Sequence, residues 1–198
     1  MDIKSICVYC GSSPGKRAVF VAAAEALGRE LAQRKIEIIY GGGHRGLMGA
    51  LADAALKTGG RVVGIIPQSL VDQEIAHRGL SQLHIVHSMH ERKAEMSRRA
   101  DAFLILPGAW GTLDELCEAL TWAQLGIHHK PCGLWNVAGY YDLLLQFLAH
   151  AVEEKFLKAE DLDLLLVAND MHDLLNTMME FKPRDETAVP PKLSNREQ

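Results

Sequence analysis

Apolar residues fall into short continuous runs separated by longer stretches in which they recur every three or four positions. The short runs are Ser5–Tyr9, Glu37–Tyr40, Arg61–Ile66, His84–Val86, Ala102–Leu106 and Cys132–Trp135. Most are apolar at nearly every position, which fits strands covered on both faces, as in a parallel sheet. Leu164–Val167 fits either a last strand or a helix end. The longer stretches Arg17–Arg34, Leu47–Thr58, Met89–Arg99, Thr112–Leu125, Tyr140–Glu154 and Asp170–Glu180 predict helices, with Gly59-Gly60 and Gly126 as stops. Strand and helix in alternation predict right-handed βαβ units and a doubly wound parallel α/β sheet. One domain is expected over residues 1–181, followed by a polar, proline-bearing, irregular tail over residues 182–198. In such sheets ligands bind outside the carboxyl ends of the strands.

Composition narrows the classes of function. The 198 residues are 48% hydrophobic and 23% charged, as in an ordinary globular domain. With 21 basic and 25 acidic side chains the net charge is −4, which argues against a broad nucleic-acid or membrane-surface footprint. Apolar stretches such as Ala102–Leu106 and Leu164–Ala168 are too short to span a bilayer, and Met1-Asp2-Ile3-Lys4 runs straight into a strand without a signal segment. Cys7, Cys10, Cys117 and Cys132 read as small apolar residues of a reduced, cytoplasmic protein. Cys7 and Cys10 have CxxC spacing but lie within a strand, where positions three apart face opposite sides.

The first strand ends in Cys10-Gly11-Ser12-Ser13-Pro14, where Ser12 and Ser13 can cap a helix or bond an anion. The second ends in Tyr40-Gly41-Gly42-Gly43-His44-Arg45-Gly46, so Gly42 and Gly43 are candidates for close backbone approach to a phosphate. Its letters satisfy G-x-G-x-x-G, but the next strand ends Ile66-Pro67-Gln68 and lacks the acid that a dinucleotide ribose requires. The Pro67–His77 connection reads as a loop or short helix. His84, His87 and His90 are spaced by three across a strand boundary, a poor pattern for zinc. Arg92 falls in the first turn of a helix, against the helix dipole, which calls for a local anionic partner.

The fifth strand ends in Pro107-Gly108-Ala109-Trp110-Gly111-Thr112-Leu113-Asp114-Glu115. A glycine-bearing turn before a helix can present Gly108 to Thr112 amides to a phosphate. Thr112 and Glu115 also satisfy a T-x-x-E capping box, which by itself would explain the pair. Leu113, Leu116, Cys117 and Leu120 are expected to form the apolar stripe of that helix, with Glu115 on another face near the strand ends. A carboxylate beside a phosphate cradle and opposite Arg92 suits an oxocarbenium-like transition state.

Together, Met89–Lys93 and Pro107–Glu115, with Tyr40–Gly49, Glu74–His77 and Trp122–Gly126, resemble the LONELY GUY family of phosphoribohydrolases, roughly from Ile6 to Phe156. The resemblance implies a Rossmann-like homodimer that cleaves nucleoside 5′-monophosphates to free base and ribose 5-phosphate without a metal or organic cofactor. Its substrates would be cytokinin riboside monophosphates, such as isopentenyladenosine monophosphate, and AMP. It implies catalytic roles for Arg92 and Glu115. It implies substrate binding by Glu74, Lys93, Thr121 and the turn Gly108, Ala109, Trp110, Gly111, Thr112 and Asp114. The family's second turn glycine is Ala109 here. At positive φ, alanine would cost ~1 kcal/mol or more; otherwise its methyl narrows the pocket. A pyridoxal-phosphate decarboxylase lacks a partner acid beside Lys93, its one tempting lysine. A phosphorylated-ligand binder resembling molybdenum-cofactor carriers is the alternative, and Arg92 with Glu115 favours hydrolysis over it.

Overall fold

The apolar runs become strands of one parallel sheet because helices cover both of its faces. In the computed structural model, which describes residues 2–73 and 75–183, seven strands are formed. They are β1 (Ser5–Tyr9), β2 (Glu37–Tyr40), β3 (Val62–Pro67), β4 (Gln82–Val86), β5 (Ala102–Ile105), β6 (Cys132–Trp135) and β7 (Leu165–Ala168). Their order is β4-β3-β2-β1-β5-β6-β7 and every pairing is parallel. The run near Leu164 is therefore the last strand. The helices are α1 (Ala18–Gln33), α2 (Gly46–Lys57), α3 (Gln68–Val71), α4 (Met89–Arg99), α5 (Trp110–Gln124), α6 (Asp142–Glu153), α7 (Ala159–Leu162) and α8 (Met171–Glu180).

Strand alternation divides the core in two. Ile6, Val8 and Cys10 face the cluster built with α1, α2 and α8, while Cys7 and Tyr9 face the cluster built with α4 and α5. Cys7 and Cys10 accordingly lie in different clusters. Gly59 and Gly126, both at positive φ, follow the ends of α2 and α5 as expected. Cys117 is exposed, contrary to expectation, and the buried positions of α5 are Thr112, Glu115, Leu116 and Ala119. The expected stripe is thus rotated, and Leu113 and Leu120 are only partly buried. Of the expected tail, residues 184–198 lie outside the described residues. Among the described residues no helix is long and apolar enough to cross a membrane.

Candidate functional site

The chain winds outward from β1 in one direction through β2, β3 and β4, then returns to β5 on the other side. The β1/β5 boundary is therefore the topological switch point, where a doubly wound sheet leaves a crevice at its carboxyl edge. Tyr9 pairs with Ile105, so the turns that follow leave the sheet at one level. The Gly11 N–H donates to the Pro107 carbonyl at 3.0 Å and ties the turns together. Above them opens a cleft of about 670 Å³, bordered by Ser12, Ser13, Arg92, Ala109, Thr112 and Glu115 among others.

Arg92 and Glu115 meet here from two helices. Both are almost fully buried, with 8% and 9% of their surface exposed. Arg92 donates from Nε to the Ile65 carbonyl at 3.0 Å and from Nη2 to the Gly41 carbonyl at 3.1 Å. These carbonyls, one within β3 and one just beyond β2, hold the guanidinium in place. Its Nη1 stands 3.9 Å from Glu115 Oε1, an ion pair without a hydrogen bond. Burial pushes the Glu115 carboxyl up to about 7, and the nearby Arg92 charge pulls against that rise. A carboxyl poised near neutrality, buried in a cleft and paired with a fixed cation has the chemistry to serve as a general base or to stabilise positive charge.

The capping box does not form. Helix α5 begins two residues earlier than expected, with Ala109 as N-cap and no side-chain cap, so Thr112 lies within the first turn. Glu115 is thereby released from a capping role. A methyl on Gly108 would run into Thr112 Oγ1, so this glycine lets the threonine hydroxyl close over the turn. Ala109 has φ −119°, outside the left-handed region, so its side chain carries no positive-φ strain. Its methyl borders the cleft. Gly111 differs, since a methyl there would meet no atom within 4 Å and its φ is ordinary. A helical glycine with no structural need, bordering the cleft at the open amide end of α5, leaves room for a ligand. If the ligand is the nucleoside 5′-monophosphate that the sequence resemblance implies, Gly111→Ala is expected to keep the wild-type Tm within ~2 °C, yet raise its KM about tenfold or more. Thermal unfolding and initial rates check both.

The glycine-rich loop after β2 does other work. The Leu47 and Met48 amides at the start of α2 both donate to the Gly11 carbonyl and are not left for a phosphate. Gly42 accepts from the His77 N–H at 2.8 Å, and Gly43 bridges to Ala76, so neither borders the cleft. Gly46, at φ +60°, lets this loop pack onto the Ser12 backbone. Ser12 and Ser13 border the cleft but cap no helix; Arg17 is the N-cap of α1. Trp110 is 87% exposed and is not among the residues bordering this cleft. Lys93 Nζ pairs with Asp114 at 3.1 Å and Glu118 at 3.0 Å, away from the cleft lining. Thr121 is exposed, and its hydroxyl donates to the Cys117 carbonyl. Glu74 lies outside the described residues. Among the described residues no three His, Cys, Asp or Glu side chains gather to hold a metal. Sequence reasoning missed Gly41, Met48, Phe20 and Tyr140, which all border the cleft.

Comparison with known proteins accords with this geometry. Residues 48–178 match the family described as "Possible lysine decarboxylase". A pyridoxal Schiff base does not fit, because the one lysine bordering the cleft, Lys16, is exposed and Lys93 is held by two carboxylates. A protein of Oryza sativa subsp. japonica, "Probable cytokinin riboside 5′-monophosphate phosphoribohydrolase", is 47% identical over 96% of this chain and 78% of its own length. A cytokinin riboside 5′-monophosphate phosphoribohydrolase of Arabidopsis thaliana is 45% identical over 98% of this chain and 92% of its own. Among solved structures, the molybdenum cofactor binding protein of Rippkaea orientalis matches with TM-score 0.70 and 20% identity, covering 91% of this chain and 98% of that one. The last likeness shows a shared fold. With a buried carboxylate and arginine at the switch point and such relatives over nearly its whole length, the chain belongs to the cytokinin riboside 5′-monophosphate phosphoribohydrolase family, LONELY GUY, which the decarboxylase description also covers.

Proposed function

We propose that the cleft hydrolyses the N-glycosidic bond of nucleoside 5′-monophosphates, cytokinin riboside monophosphates and AMP, to free base and ribose 5-phosphate. The observation that carries this is Glu115, buried, pushed up to about 7 and facing a fixed guanidinium one turn from the open amide end of α5. A carrier of an anionic ligand gains nothing from burying a carboxylate beside it.

The 5′-phosphate sits on the amides between Gly108 and Thr112, within the positive end of the α5 dipole. This anchors the ribose with C1′ near Glu115. As the bond from C1′ to the base lengthens, positive charge grows on the ribose ring. Ionised Glu115 stabilises that charge and takes a proton from the attacking water. Arg92 Nη1 holds the carboxylate or a ribose hydroxyl in place. The apolar wall of Met48, Leu70 and Ile75 is left for the base.

Anchored phosphate supplies remote binding energy to the chemical step. The kcat/KM for AMP is therefore expected to exceed that for adenosine by about a thousandfold, from two or three charge-assisted hydrogen bonds. Steady-state assays of the two substrates test this, and equal rates would remove the phosphate from the mechanism.

The same reading includes a cytoplasmic homodimer. Helix α6 buries no residue, and Leu143 and Phe147, one turn apart, are 79% and 62% exposed. A second copy of this chain accounts for such a stripe. Light scattering is expected to give twice the chain mass for the wild type, and the single-chain mass for the double substitution Leu143→Asp, Phe147→Asp.

A further inference from the structure

We infer that Tyr140 is a positioning residue that turns one amide of the phosphate-binding turn toward the ligand, an inference that rests on the phosphate-anchoring reading above. Three successive carbonyls of that turn are each held by a different donor. The Tyr141 hydroxyl donates to the Leu106 carbonyl at 2.8 Å, the Gly11 N–H to the Pro107 carbonyl at 3.0 Å, and the Tyr140 hydroxyl to the Gly108 carbonyl at 2.6 Å. In a trans peptide the carbonyl of one residue and the N–H of the next point in opposite directions within one plane. Holding the Gly108 carbonyl therefore sets the direction of the Ala109 N–H.

The Gly108 carbonyl points toward the Tyr140 hydroxyl, so the Ala109 N–H points away from it. Among the described residues no hydrogen bond takes up that N–H, and Ala109 borders the cleft, so the amide is left for a ligand. Ala109 is the N-cap of α5, so this amide extends the row of open N–H groups by one.

The hydroxyl is held by a braced corner. The Tyr140 ring meets Phe20 edge-on at 5.5 Å and Tyr141 edge-on at 4.8 Å. Buried Asn136 accepts from the Tyr141 N–H at 2.8 Å and donates to Asp142 at 2.7 Å. Tyr141 supplies an internal control. The nitrogen that shares a peptide plane with the Leu106 carbonyl belongs to Pro107 and carries no hydrogen, and the backbone bond from Gly108 to the Tyr141 oxygen lies in the plane before that of the Ala109 N–H, so Tyr141 braces the turn without aiming the Ala109 donor.

The test is calorimetric titration of AMP and of ribose 5-phosphate into wild-type protein, Tyr140→Phe and Tyr141→Phe, with steady-state kinetics and thermal unfolding alongside. Tyr140→Phe keeps both ring contacts and loses only the latch. It is expected to weaken both ligands about tenfold and raise the KM for AMP equally, with kcat within about threefold of wild type. Tyr141→Phe is expected to lower Tm while leaving both affinities within twofold. Tyr140→Phe binding within twofold of wild type overturns the inference. So does equal weakening by both variants, which would make general loosening of the turn the cause. Wild-type protein that binds neither ligand overturns the functional reading beneath it as well.

Discussion

Replacing Glu115 with glutamine is expected to lower kcat on AMP by about a thousandfold or more, while making the protein more stable above neutral pH. Both effects come from one feature, the burial of a carboxylate. In the folded protein its proton is held up to about 7, whereas an unfolded chain releases it near 4.5. Below about pH 4.5 the carboxyl is protonated in both states and contributes no difference. As pH rises from there to about 7 the unfolded state gains by ionising first, so stability falls. Above pH 7 the buried anion costs on the order of 3 kcal/mol. Glutamine has the same shape and no charge to bury, so Glu115→Gln should raise Tm by roughly 5–10 °C at pH 8 and leave it unchanged at pH 4. The wild-type kcat/KM should rise through an apparent pKa near 7 and level off above it, because the proposed mechanism uses the ionised form. Scanning calorimetry at two pH values and a pH–rate profile measure these. An activity maximum on the acid side would mean that Glu115 acts protonated.

Gly41→Ala should cost about a hundredfold in kcat/KM without a stability penalty of comparable size. Gly41 has φ outside the left-handed region, so alanine fits the backbone there. Its methyl, however, would overlap Arg92 Nη2 and sit 2.9 Å from the guanidinium carbon. The flexible tip of a side chain gives way before two strand ends do. The guanidinium then leaves the Gly41 and Ile65 carbonyls and can no longer hold its position by Glu115. Without that cation the carboxyl rises further, because Arg92 is the main influence opposing burial. The acidic limb of the pH–rate profile should move upward with the loss of activity. Assays at pH 7 and 9 separate this from simple misfolding, which would depress both rates and Tm together.

The fold was legible because its determinants are local. Runs such as Ile38-Ile39-Tyr40 and Phe103-Leu104-Ile105 are apolar without interruption, and only a sheet covered on both faces buries every position of them. Six helices followed from periodicity, to within a few residues at the ends. The short helices α3 and α7 carry too few turns to show a period. The meeting of Arg92 and Glu115 in the cleft was legible because each stands near a helix start beyond a strand end, at the carboxyl edge of the sheet.

What misled was local pattern met by a different tertiary partner. Thr112 and Glu115 have the spacing of a capping box, but the turn enters α5 at Ala109 and leaves both side chains for the cleft. The glycine loop after β2 has the letters of a phosphate site, but its helix amides are taken by the Gly11 carbonyl, over thirty residues away in the chain. The contacts of Gly41 with Arg92 and of Tyr140 with Gly108 join residues 51 and 32 positions apart. No spacing rule reaches such pairs, because the sheet order alone makes them neighbours.

The most direct test is chromatography of AMP and isopentenyladenosine monophosphate after incubation with wild-type protein and with Glu115→Gln, each checked by calorimetry for AMP binding. The expected result is free base and ribose 5-phosphate in equal amounts from the wild type, and intact nucleotide from a variant that still binds AMP. Intact nucleotide from folded, AMP-binding wild type, or equal release by the variant, would contradict hydrolysis at Glu115.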